Sequence, residues 1–181
     1  MHQLLRRVAF MVEIASRKQG LQSRLGKTAV QKLLYLLQAG TGVQLGYRFD
    51  IYTYGPYDSA VMRDIDYAAW TRMLSVKYEG DMGYEITPGP DAGVLEGYRQ
   101  AIREEVGEKL ERVFAHFGKS SASELELRAT VLYVAKDEPS LSDNELIARV
   151  SGLKPRFDSA QIAGALEDLR ATGLLEAAAG T

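Results

Sequence analysis

The side chains able to do chemistry in this chain are few, and their spacing excludes more than it suggests. There are two histidines, His2 and His116, and no cysteine. A zinc site gathers three or four His, Cys or carboxylate ligands at short recurring spacings, and neither histidine has such neighbours in sequence, so a zinc hydrolase is excluded. Without Cys the chain forms no disulfide, thiolate metal site or cysteine nucleophile, which fits the cytoplasm. His116 stands in Phe114-Ala115-His116-Phe117-Gly118 at a predicted helix end, where an imidazole meets terminal carbonyls rather than a substrate. No GxSxG, GxGxxG or GxxxxGK[ST] string is present, and Gly40, Gly42 and Gly46 are too loosely spaced for a dinucleotide fingerprint. Asp64 and Asp66 lie two apart on a predicted helix and diverge, so a shared carboxylate site needs Asp58 or another acid brought in by folding. A metal-dependent nuclease is therefore kept only as a last alternative. The expectation is no catalytic residue, no metal ligand and no cofactor.

The aromatic residues are concentrated instead. Tyr47, Phe49, Tyr52, Tyr54 and Tyr57 fall within eleven residues, and Tyr35, Tyr67 and Trp70 are expected close by. Tyr and Trp combine large contact area with a polar handle and little lost side-chain entropy, so they are enriched where proteins bind proteins. The plainer alternative is that alternation along a strand sends half of them into the core. Charge is segregated as well: residues 1 to 50 carry eight Lys or Arg against two acids, and residues 101 to 181 carry ten against fourteen. A basic end attracts phosphates or an acidic protein, although a solvated surface explains the same surplus. Arg24, Lys27 and Lys77 are the candidates for nucleic-acid contact.

The elements that must position these residues follow from periodicity. A helix over 3–18 buries Leu4, Leu5, Val8, Val12 and Ala15 and leaves Arg6, Glu13 and Arg17 toward solvent. A second, over 27–38, buries Ala29, Val30, Leu33, Leu34 and Leu37, with Gln31, Tyr35 and Gln38 along another face. Alternating aromatic and β-branched residues predict a strand over 47–54, ended by a stiff Gly55-Pro56 turn. Asp58 is the expected N-cap of a helix reaching about Leu74, and 76–86 reads as a hairpin. Helix, helix, strand, helix, hairpin is the order of a winged helix-turn-helix.

After Pro88-Gly89-Pro90 a long helical pattern runs to Phe117, with Gly107 as a place to bend. Ser121 with Glu124, Ser142 with Glu145, and Asp158 with Gln161 have capping-box spacing and predict three more helices. The last two resemble a second helix-turn-helix, but its second helix carries Asp158, Glu167 and Asp168 against Arg170, which disfavours DNA. Lys154 and Arg156 in the connection could touch a phosphate backbone, while Arg156 and Asp158 are as easily a local pair.

The length of 181 residues suits one compact unit, here divided into a winged-helix-like region, 1–88, and a helical region, 89–181. The 46% hydrophobic and 25% charged residues are ordinary for a soluble domain, and no apolar run is long enough for a membrane span. The amino-terminal residues lack the apolar stretch and cleavage site of a secretory signal. The expected fold class is α+β and predominantly helical, with a small antiparallel sheet in the first region packed on the second.

The text Gln31-Lys32-Leu33-Leu34-Tyr35-Leu36-Leu37-Gln38, followed by an aromatic strand ending in Tyr54-Gly55-Pro56-Tyr57 and a helix containing Asp64, resembles the Panacea, or SocA-like, antitoxin domain and its bacterial relatives. The resemblance covers about Lys27 to Ile65; Tyr57 departs from the Gly-Pro-Val text common in that family. It implies a cytoplasmic bacterial protein that acts by binding another protein, commonly a toxin encoded beside it, with no catalytic residues. Lys32, Tyr35, Tyr54, Gly55, Pro56 and Asp64 match the shared pattern, and Lys32 with Asp64 is an expected structural ion pair. With Tyr57, Tyr67 and Trp70 they form the candidate partner-binding set of a non-enzymatic regulator. A nucleic-acid-binding winged helix is the first alternative.

Overall fold

Helix α1 (His2–Gly20) shows why the chain packs around its own amino terminus: Val8, Met11, Val12, Ile14 and Ala15 are all buried, and so is Glu13. Periodicity predicts Glu13 at solvent; the structure lays helix α4 (Glu96–Phe117) over that face instead. Glu13 receives Arg17 at 3.1 Å, Arg99 at 3.0 Å and Arg103 at 3.1 Å, the pairing that a buried carboxylate requires. A single helix's pattern carries no sign of the second helix that covers it. The computed structural model describes residues 2–176.

Helix α2 (Lys27–Tyr35) passes directly into a π-helical turn, Leu36–Gly40. An extended run follows, burying Val43, Leu45 and Tyr47 in alternation, and leads to strand β1 (Asp50–Tyr52). The predicted strand over 47–54 is thus shortened and its reversal moved. The chain turns at Thr53-Tyr54, and Gly55-Pro56 open the returning strand β2 (Gly55–Tyr57), with Ile51 opposite Pro56 and Tyr52 opposite Gly55. Gly55 has φ +81°, a conformation glycine adopts without the penalty of a side chain. Helix α3 (Ser59–Trp70) starts at the predicted cap, where Ala60 N–H donates to Asp58 Oδ1 at 2.7 Å, but it ends four residues before Leu74. Leu74 instead begins strand β3 (Leu74–Tyr78), which pairs with β4 (Tyr84–Pro88), Val76 opposite Ile86, so the hairpin expected over 76–86 forms and extends two residues further at each end.

Helix α4 breaks at Val106, one residue before the glycine expected to bend it. Helices α5 (Ala122–Asp137), α6 (Asp143–Leu153) and α7 (Ser159–Ala171) each begin with the capping box read from the sequence. Among the described residues the fold is predominantly helical α+β, with seven α-helices and two two-stranded antiparallel sheets. One hydrophobic cluster runs from Val8 to Leu174, so the described residues of the two regions share a core. No described helix is long and apolar enough to cross a membrane.

Candidate functional site

The face of α2 that carries Gln31, Tyr35 and Gln38 is the support on which the aromatic segment is mounted. Gln38 Nε2 donates to Tyr47 O at 2.9 Å and its Oε1 accepts from Tyr47 N at 3.1 Å. Gln31 does the same to Asp58, with Nε2 to O at 2.9 Å and N to Oε1 at 3.2 Å. Seven residues apart on a helix is about 10 Å, so two amides hold the two ends of a hairpin at a fixed separation. Between them Tyr35 packs edge-on to Phe49 at 5.2 Å, and Asp58 Oδ2 accepts from Arg48 N at 2.6 Å.

Buried charges hold the turn from beneath. Lys32, 1% exposed, donates to Pro56 O at 2.6 Å, and Lys154, from the connection between α6 and α7, donates to Thr53 O. Carbonyls on both sides of the turn are thus taken by ammonium groups more than 120 residues apart in sequence. Glu126 of α5 balances them, accepting Lys154 at 2.9 Å and Arg156 at 2.7 Å. Next to it Thr130 Oγ1 donates to Glu126 O at 2.8 Å and closes the floor under Gly55, where an added Cβ would sit 2.8 Å from that oxygen.

Burial pulls Lys32 down to about 8; Glu126 opposes this shift and Lys154 adds to it. The unfolded chain then binds more protons than the folded one above about pH 8, so this group makes stability rise with pH from there toward the ordinary lysine range. Burial raises the Tyr35 and Tyr47 hydroxyls, which reverses the slope once unfolded tyrosines ionise, near pH 10. Urea midpoints are therefore expected to climb between about pH 8 and 10 and fall beyond. Lys32→Met removes much of the climb.

Asp64 is buried and accepts the Tyr47 hydroxyl at 2.7 Å and Arg7 Nη2 at 3.3 Å. Arg7 Nε lies 2.8 Å from Oδ2 without hydrogen-bond alignment, so that contact is charge attraction; the guanidinium also stacks 4.8 Å over the Tyr47 ring. Burial raises the Asp64 carboxyl, while Tyr47 and Arg7 act against it. The expected Lys32–Asp64 pair does not form: Lys32 is taken by the Pro56 carbonyl and Asp64 by the Tyr47 hydroxyl and Arg7.

The predicted partner-binding set divides accordingly. Lys32, Tyr35, Gly55, Pro56 and Asp64 are buried, so they position the hairpin rather than form its exposed aromatic surface. Tyr54, Tyr57 and Trp70 are exposed, at 61%, 36% and 82%, and Tyr67 is half-buried. Tyr52, 69% exposed, joins them, its ring 5.8 Å from that of Tyr57. A second exposed pair, Tyr78 and Tyr84 at 5.3 Å, stands on β3–β4.

Sequence reasoning missed Glu126 and Thr130 and misplaced Lys154. The signal for Glu126 was an acid on a helix whose neighbours Leu125, Leu127, Ala129 and Val131 are apolar around most of its circumference. Arg156 pairs with Glu126 rather than Asp158, since Asp158 caps α7.

Of the nucleic-acid candidates, Arg24 is paired with Glu79 at 2.9 Å, and Lys27 lies 4.3 Å over the Tyr84 ring and 3.7 Å from Asp66. Lys77 is exposed opposite Glu85. Arg24 and Lys27 line a cavity of about 490 Å³ with Lys119 and the start of α2. His116 Nδ1 lies 3.0 Å from Arg112 O, the helix-end contact expected of it. Among the described residues no group of three or more His, Asp or Glu is placed to hold a metal ion. No protein-family model matches the chain, and no curated protein matches it.

Proposed function

We propose that this protein is a non-enzymatic, cytoplasmic regulator of the antitoxin type, which binds and neutralises a protein partner through the β1–β2 hairpin. The observation that carries the reading is the contrast between the two sides of that hairpin. Tyr52, Tyr54 and Tyr57 face solvent, while Gln31, Gln38, Lys32 and Lys154 fix the backbone that bears them. Exposed aromatic rings on a backbone already held in place lose little entropy on binding, the property of a binding hot spot. The likeness of Lys27 to Ile65 to the Panacea, or SocA-like, domain supports the same reading and suggests a toxin as the partner.

Replacing Tyr54 and Tyr57 together by Ala is expected to weaken partner binding at least about a hundredfold, at roughly 2 kcal/mol or more for a hot-spot aromatic, with the circular dichroism unchanged. Retained affinity contradicts the site.

The groove that collects Arg24, Lys27 and Lys119 beside the β3–β4 hairpin favours nucleic-acid binding as the second reading. It predicts affinity that falls steeply with salt and is lost when Arg24, Lys27 and Lys77 are neutralised. No binding of duplex or single strand at low salt ends it.

A further inference from the structure

At the root of the first hairpin, where α2 enters its π-helical turn, Tyr35, Phe49 and Tyr133 line an open cavity of about 300 Å³, together with Gln38, Lys136 and Asp137. The Tyr35 ring meets Phe49 at 5.2 Å and 79° and Tyr133 at 6.2 Å and 39°, so the three rings bound one space from different directions. Tyr35 is only 5% exposed, and that remaining exposure is on the wall of this open cavity. Gln38, the amide in the wall, commits one N–H and one lone pair to the Tyr47 backbone. Tyr133 and Asp137 are four apart on α5 and share a face. Burial, then Tyr133 and Asp137, resist ionisation of the Tyr35 hydroxyl, which places those groups near one another.

These walls offer three aromatic rings, phenolic oxygens, the Asp137 carboxylate and the Lys136 ammonium. Ring quadrupoles and a carboxylate attract positive charge, and in an anion's site both would repel. We propose that this cavity binds an organic cation of the ammonium or guanidinium class, held against Tyr35, Phe49 and Tyr133 with its charge toward Asp137. The cation is either a free small molecule or the tip of a Lys or Arg side chain. Lys136 is the like charge at the rim and limits the affinity. The site does not depend on the hairpin's having a protein partner.

The test is an NMR titration of the full chain, following the resonances of Tyr35, Gly40 and Tyr133. Choline and methylguanidinium are the free-cation probes; Nα-acetyl-lysine and Nα-acetyl-arginine methylamides are the side-chain probes; 3,3-dimethylbutan-1-ol is the neutral isostere of choline. Saturable shifts at roughly millimolar concentration are expected for cations and not for the alcohol. Tighter binding of the methylamides assigns the site to a side chain, and tighter binding of choline or methylguanidinium to a free cation. Asp137 is exposed, so Asp137→Asn leaves the fold intact and lowers cation affinity about tenfold, while Lys136→Met raises it. Equal shifts with the neutral alcohol, unchanged affinity in Asp137→Asn, or no saturable shift with any cation overturns the proposal.

Discussion

Glu126→Ala is expected to lower the unfolding free energy by about 3–5 kcal/mol, measured by urea denaturation at pH 7. The carboxylate is 3% exposed and is the counter-charge for Lys154 at 2.9 Å, with Lys32 buried in the same region. Removing it leaves ammonium groups without a balancing charge where water cannot reach them, and that penalty exceeds the attraction the pair provides in the wild type. The companion variant Glu126→Leu/Lys154→Met separates the two terms. It removes both charges together and is expected to recover most of the loss, though the turn carbonyl of Thr53 then goes unpaired. A single variant within about 1 kcal/mol of the wild type contradicts the assignment of this cluster as the support of the turn.

Gly55→Ala is expected to cost about 2–4 kcal/mol, from two sources that add. The φ of +81° strains any residue bearing a Cβ, and the new methyl meets Thr130 Oγ1 at 2.8 Å, with Glu126 O at 3.4 Å. Thr130→Ala in the same chain removes the clash and leaves the strain. The double variant should therefore be less destabilised, relative to Thr130→Ala alone, than Gly55→Ala is relative to the wild type. Equal costs in both backgrounds would mean that only the backbone conformation matters at Gly55.

Local signals carried much of this architecture. The three capping boxes and the Asp58 cap each depend on residues within a few positions of one another, the β3–β4 hairpin on two short arms around one glycine-bounded turn, and each was legible. The Gln31, Tyr35, Gln38 face was legible as a face, but its use was not, because its partners Tyr47 and Asp58 are set by how the chain returns. Glu13 was misread as a solvent-facing residue for the same reason: the arginines that justify its burial lie on α4, more than eighty residues away. Of the candidate site, the exposed tyrosines were visible as a cluster. The division into exposed rings and buried groups that hold the backbone was not, since Lys154 and Glu126 reach the turn only through tertiary packing. The turn itself was displaced by two residues, because Gly-Pro reads as a reversal wherever it occurs, whereas here it begins the returning strand with its carbonyl on Lys32.

The central claim is that the hairpin's exposed tyrosines bind a protein while its buried polar groups only position them. The most direct measurement is a parallel capture from a lysate of the native host, with wild-type and Tyr54→Ala/Tyr57→Ala baits of equal thermal stability, each repeated after nuclease treatment. One stoichiometric protein is expected on the wild-type bait, retained after nuclease and absent from the variant. The same protein on both baits, or loss of every partner on nuclease treatment, contradicts it.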